Sequence, residues 1–201
     1  MAAQKWLLVG LGNPGTLYSH NRHNVGFWCI NRLARLHGIP LKASRLATIG
    51  EGSIGGPAGQ AVPVVLAKPR TFVNRSGHAV AAILRNFRID PMRMLVVCDD
   101  LDLPAGKLRL RAGGGHGGQK GLRSIIATIG SGDFPRLRLG IGRPTLDGQP
   151  SRDPDVVADY VLSDPAPQDA EALQAAVAEA AQAVEAILHE GVEAAMNRYN
   201  R

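Results

Sequence analysis

Trp6-Leu7-Leu8-Val9-Gly10-Leu11-Gly12-Asn13-Pro14-Gly15 runs from four consecutive apolar residues into glycine-rich sequence. An apolar run this short, closed by glycine, reads as a buried strand followed by a tight turn. Working outward, Asn24 to Leu36 places Val25, Phe27, Trp28, Leu33 and Leu36 close to helical spacing, and Gly38 and Pro40 supply the stop. Val62 to Ala67 reads as a strand and Ser76 to Phe87 as a helix, with Ala79, Val80, Ile83, Leu84 and Phe87 on one face. Met94 to Val97 is a further buried strand. Lys107 to Arg111 and Arg136 to Ile141 alternate basic and apolar residues, the mark of half-buried strands, and Gly121 to Ile129 between them reads as helical. Gln168 to Leu188 is Ala/Glu-rich and keeps Leu173, Val177, Ala180, Val184, Ile187 and Leu188 in helical register. Strands alternating with helices predict an α/β fold: one domain over residues 1–201, a mixed twisted sheet flanked by helices, and a C-terminal helix. No internal repeat or linker divides the chain. Gly50 to Gln60 and Thr145 to Asp153, rich in Gly, Pro, Ser or Asp, are expected to be mobile loops.

Composition narrows the class. The 201 residues are 45% hydrophobic and 20% charged, as in an ordinary globular protein, and no apolar run approaches the ~20 residues of a membrane span. Met1 to Lys5 leads into the first apolar run without a small-residue cleavage site, so no secretory signal is expected. Cys29 and Cys98 both sit in apolar company and read as reduced core residues, which points to the cytoplasm. Charge is unevenly spread. Residues 1–150 hold 20 Lys/Arg against 7 Asp/Glu, whereas residues 151–201 hold 3 against 10. A basic body with an acidic tail suggests a polyanionic partner; a generally solubilising surface is the plainer alternative.

Gly10 to Gly15 formally matches G-x-G-x-x-G. A dinucleotide site also needs a helix at once and an acidic residue ~20 positions on. No Asp or Glu occurs in residues 1–50, so a nicotinamide or flavin site is disfavoured and the glycines read as a means of bending the chain after the strand. Asn13 lies where the first strand ends, the place where open α/β sheets set their sites, although it could simply initiate a turn. His23, in Arg22-His23-Asn24, begins the first helix. A lone His more often has a structural or solvated place, but here the positive end of the helix dipole disfavours the imidazolium and suits the ring to act as a base. Asp99, Asp100 and Asp102 follow a buried strand, and a carboxylate emerging from the core needs a partner. Asp99, the first, is the one expected to be held. No His or Cys spacing accompanies the cluster, so a metal is not expected. Asn74 could cap the following helix or offer its amide to a substrate. Gly113 to Gly121 holds six glycines in nine residues, either a mobile hairpin tip or a cradle of backbone N–H groups for an anion, with Gln119 and Lys120 at a helix start. Lys107, Arg109 and Arg111 share one strand face, and Arg136 with Arg138 repeats the pattern, so two strands would turn a positive side toward phosphates. Aromatic residues are few, at 4%, which argues against extensive base stacking.

Taken together these segments resemble a known family. Val9 to Gly15, Tyr18 and Arg22-His23-Asn24-Val25-Gly26 are similar to the opening of bacterial peptidyl-tRNA hydrolases. So are Lys68-Pro69-Arg70-Thr71-Phe72-Val73-Asn74-Arg75-Ser76-Gly77, Asp99-Asp100-Leu101-Asp102-Leu103-Pro104, the Gly-His-Gly-Gly loop and Phe134 to Gly142, in order from about residue 6 to Asn197. The resemblance implies a monomeric α/β enzyme without metal or other cofactor that hydrolyses the peptidyl-tRNA ester and recycles tRNA from aborted translation. It implies that His23 is the general base, Asp99 orients it, and Asn13 and Asn74 position the substrate near the scissile carbonyl. Tyr18, Phe72, Val73, Gln119 and Lys120 fall at substrate-binding positions, and Arg111 and Arg138 where the family clamps the terminal phosphate of tRNA. Two departures stand out: Gln119-Lys120 where the family often has His-Asn, and Val73 where it often has Met. A non-catalytic RNA-binding protein on the same scaffold is the rival function; the joint presence of Asn13, His23, Asn74 and Asp99 argues against it.

Overall fold

The computed structural model describes residues 4–56 and 59–200. Seven strands form one sheet in the order β2-β3-β4-β1-β5-β7-β6. These are β1 (Trp6–Gly10), β2 (Lys42–Ala43), β3 (Ala47–Gly55), β4 (Ala61–Pro69), β5 (Met94–Asp100), β6 (Leu108–Arg111) and β7 (Arg136–Gly140). The four central strands, β4, β1, β5 and β7, run parallel; β2, β3 and β6 add antiparallel edges. Side chains alternate across β1. Leu8 joins a core with α1 (Val25–Leu36), α5 (Pro167–Glu190) and α6 (Val192–Tyr199), while Leu7 and Val9 join a core with α2 (Ser76–Phe87) and α3 (Lys120–Ile129). Every residue of β5 is buried, as a parallel strand covered on both faces requires. Cys29 and Cys98 belong to opposite cores, and burial pushes the Cys29 thiol up to about 12 and the Cys98 thiol higher still.

Three sequence expectations change. Gly50 to Gly55 is not a loop but the greater part of β3; Gly50 and Gly52 are glycines because Ile39 and Pro40 cross directly over the strand, where a Cβ at Gly52 would lie 2.6 Å from Ile39 Cγ1. Pro57 and Ala58, inside the same expected loop, lie outside the described residues. Thr145 to Asp153 contains a small hairpin, β8 (Thr145–Leu146) with β9 (Gln149–Pro150), and ends at a helix, α4 (Pro154–Val161), that periodicity did not reveal. Its start signal was present: Asp153 Oδ1 accepts from the Asp155 and Val156 N–H groups, with Pro154 at the first helical position. Finally, β7 is buried on both faces rather than one, because it lies between β5 and β6 and α5 packs over it. The edge strand β6 is blunted by a side chain: the Asn200 amide exchanges two hydrogen bonds with the Leu110 backbone, at 2.6 and 3.0 Å.

Candidate active site

The parallel strands all point their C-terminal ends at one region, and sheet order reverses about β1, whose neighbours β4 and β5 are connected through α2. That crevice is where a doubly wound sheet leaves room for a ligand. It holds a cavity of about 590 Å3 whose lining includes Asn13, His23, Asn74 and Asp99.

Asp99 is the penultimate residue of β5, and its carboxylate is 5% exposed. Its Oδ2 lies 2.9 Å from His23 Nδ1, and its Oδ1 accepts a 2.9 Å hydrogen bond from Gln119 Nε2. The Asp99–His23 approach is oblique to the ring N–H, so charge contributes more to it than hydrogen-bond alignment. His23 sits in the 3-10 turn Arg22–Asn24 that enters α1. Burial pulls the imidazole down, but the charge of Asp99 and its contact with the ring together outweigh this, and Lys120 opposes them; the net pKa is raised above the ordinary 6.5. The helix-dipole expectation of a depressed base is therefore reversed, because a carboxylate at contact distance outweighs a half-charge spread over a helix end. With Nδ1 turned to Asp99, Nε2 is the nitrogen left to take a proton.

Two asparagines are held differently. Asn13 is pinned on all sides: its N–H donates to Asn24 Oδ1 at 2.8 Å, its C=O accepts from Asn24 Nδ2 at 3.0 Å, and its Oδ1 accepts from the Val73 N–H at 3.0 Å. With Oδ1 committed, the Asn13 NH2 remains as a fixed donor. Asn74 lies within the 3-10 turn Val73–Arg75; Arg75 occupies the cap position of α2 and no side chain caps that helix, so the helix-cap alternative for Asn74 does not hold. Phe72, 56% exposed, and Val73 complete this wall.

The remaining residues expected at the site divide. Gln119, Lys120 and Arg138 line the cavity; Tyr18 and Arg111 do not. Tyr18 lies in the turn Thr16–Tyr18 beyond Asn13, and Arg111 is exposed on β6. Arg138 is pinned, with Nη1 3.0 Å from Asp100 Oδ2 and Nη2 donating to the His116 carbonyl at 2.9 Å. Arg136 does not join a positive face. It is buried, stacks on Phe134 at 4.6 Å, and donates to the carbonyls of Gly114, Gly115, Gly132 and Phe134. Its guanidinium thus orders the glycine-rich loop, which is not a free hairpin tip.

Sequence reasoning missed the opposite wall. Val157, Ala158, Val161 and Leu162 of α4 and its end face the cavity, with Arg143 and Arg152 at its edge. Arg22 ties this wall to the turn bearing His23. Its guanidinium donates to Ser163 Oγ, the Asp164 carbonyl and Asp169 Oδ2, and lies 4.4 Å from the Tyr160 ring. The signal was Arg22 itself, a cation beside His23 with no acidic residue nearby in sequence. Among the described residues, no three His, Cys, Asp or Glu side chains are grouped to hold a metal ion, and no helix is long and apolar enough to cross a membrane.

Comparison with known proteins bears on the same region. The sequence model of the family described as peptidyl-tRNA hydrolase matches residues 7–201. The peptidyl-tRNA hydrolase of Chloroflexus aggregans is 48% identical over 197 residues, 97% of this chain and 98% of that protein. That of Symbiobacterium thermophilum is 46% identical over 195 residues, covering 96% and 98%. The crystal structure of peptidyl-tRNA hydrolase from Acinetobacter baumannii superposes with a TM-score of 0.85 at 37% identity, covering 97% of this chain and 94% of that one.

Proposed function

The chain belongs to the peptidyl-tRNA hydrolase family, and from that premise we propose how its own side chains cleave the ester between a peptide and the 3′-terminal ribose of tRNA. His23 Nε2 takes a proton from water as the water attacks the ester carbonyl, while Asp99 holds the ring and stabilises the imidazolium that forms. The NH2 groups of Asn13 and Asn74 receive the oxygen that becomes negative in the tetrahedral intermediate. Collapse of that intermediate expels the ribose 3′-oxygen, which leaves with the proton from His23, giving free peptide and free tRNA. Phe72, Val73 and the apolar face of α4 bound the space for the peptide. Lys120 faces the same cavity as a cation, and Arg138 with the exposed Arg111 forms the approach for the tRNA phosphate. The same reading makes the protein a monomer working in the cytoplasm, where it recycles tRNA from aborted translation. The observation that carries it is the 2.9 Å His23–Asp99 contact at the cavity shared with both asparagines.

The test is release of tRNA from an N-blocked aminoacyl-tRNA in EDTA. Rapid release is expected; bound but uncleaved substrate would favour the RNA-binding alternative.

The pH profile follows from the raised base. His23 works unprotonated, so kcat/KM falls as pH drops through its pKa, and that acid limb is expected above the ordinary 6.5 of imidazole. Lys120 holds the value down, so Lys120→Met moves the limb to higher pH; a limb that stays put or moves down contradicts the assignment. Affinity for tRNA should weaken with rising salt. If Arg111 meets one phosphate, Arg111→Ala reduces the slope of log K against log salt by about one, and an unchanged slope removes it from the interface.

A further inference from the structure

Gln119 is 8% exposed and its side chain is committed at both ends. Oε1 accepts from the Gly121 N–H at 2.5 Å and the Leu122 N–H at 2.9 Å, capping α3; Nε2 donates to Asp99 Oδ1 at 2.9 Å. The backbone is tied as well. The Gln119 N–H donates to the His116 carbonyl at the end of the glycine-rich loop, and its C=O accepts from the Arg123 N–H.

These bonds fix the amide's orientation. A flipped amide would set N–H against the two helix N–H groups and a carbonyl oxygen against a carboxylate, losing every bond at once. The helix start therefore dictates that the NH2 faces Asp99. Asp99 has two oxygens, and the second points at His23 only while the first is occupied. A buried carboxylate left with one partner would turn to satisfy the other oxygen elsewhere.

We propose that Gln119 is a positioning residue for the base: it transfers the fixed direction of the α3 N-terminus to Asp99, and through Asp99 to His23. The inference rests on the reading of His23 and Asp99 given above. It gives the Gln in Gln119-Lys120 a use that differs from substrate contact. It also explains why an uncharged group stands there. A neutral donor satisfies Asp99 without competing with His23 for its charge, whereas a cation at that place would draw on that charge and lower the basicity of the ring.

Two substitutions separate capping from positioning. Gln119→Ser keeps a side-chain oxygen at the cap, where Ser is among the favoured residues, but is too short to reach Asp99. Gln119→Met fills the space and loses both functions. Both lose the bond to Asp99, so Gln119→Ser is expected to stay about 2–4 °C above Gln119→Met in Tm, the worth of one cap. Both should lower kcat by about tenfold, part of the ~10²–10⁴ that a general base contributes, with KM little changed. Both should also move the acid limb of kcat/KM downward, because a carboxylate turned away from the ring no longer holds the imidazolium. Wild-type kcat and an unmoved limb in Gln119→Ser would overturn the proposal, as would a loss of kcat that follows Tm across the pair. His23→Ala, assayed beside them, keeps the readings apart. Near-normal turnover in that variant overturns the His23–Asp99 assignment, whereas an inactive His23→Ala with a wild-type Gln119→Ser overturns only the role of Gln119.

Discussion

His23→Ala is expected to lower the rate of peptidyl-tRNA cleavage by about 10²–10⁴-fold while leaving tRNA affinity close to that of wild type. The reasoning starts from what else in the cavity could take the proton. Asp99 is committed to His23 and Gln119, Asp100 to Arg138, and Asp102 to Arg143. Both cysteines are buried thiols with raised pKa, so neither supplies a nucleophile. His23 lines the cavity and its side chain is 11% exposed, so the ring is open to the cavity. In the proposed reading, binding depends instead on cations spread over the approach and on the cavity walls, none of which touches the imidazole ring through a hydrogen bond. Single-turnover cleavage, measured with a separate filter-binding titration of uncleaved substrate, distinguishes the two effects. Cleavage at near wild-type rate would remove His23 from the mechanism. A proportionate loss of binding would make it a substrate contact rather than a base.

Gly26→Ala is expected to destabilise the fold by about 3 kcal/mol, the upper end for forcing a methyl group into a packed interior, and to lower Tm by about 6–12 °C. A Cβ at Gly26 would lie 2.5 Å from the carbonyl oxygens of both Leu11 and Val97 and 2.6 Å from the Leu11 nitrogen. All three are backbone atoms of the segment leaving β1 and of the adjacent β5, and they cannot rotate away as a side chain would. Gly10, at the end of β1, faces the Gly26 backbone in the same contact. Gly10 is therefore not the hinge of a bend, as the sequence suggested, but a flat place against which α1 lies. Because His23 is only three residues before Gly26, moving α1 outward also moves the proposed base. A displacement near 1 Å costs about 10²-fold in rate, so kcat should fall together with Tm. Thermal unfolding within 1–2 °C of wild type, on the order of a ΔΔG below ~0.5 kcal/mol, would show that the contact yields easily.

Much of this was legible beforehand for local reasons. The helices over Ser76–Phe87 and Val25–Leu36 fell at or within a residue of their expected limits, because apolar period and the Gly38 stop are short-range properties. The parallel β5 was recognised by its unbroken apolar run, but it extends through Asp99 and Asp100, which charge had hidden. The antiparallel strand β3 was read as a loop because its glycines answer a close approach by Ile39, thirteen residues earlier than Gly52. The helix α4 was missed because it is short and its apolar residues are divided between the cavity and the edge of the core, so none of them is buried.

By itself, the sequence determined that the chain alternates strands with helices, that Asn13, His23, Asn74 and Asp99 are the polar residues standing at the ends of those elements, and which family the motifs belong to. Only the tertiary structure decided what each charge does. Arg136 and Arg138 are one turn of the alternation apart on β7, with the same side-chain chemistry. One is buried against four carbonyls, and the other is paired with Asp100 at the cavity. Gln119 likewise became a link between a helix start and a carboxylate. Local sterics act over a few residues and are written along the chain. Burial and partner choice depend on which strands become neighbours, and the pairing of β5 with β7 joins segments some forty residues apart.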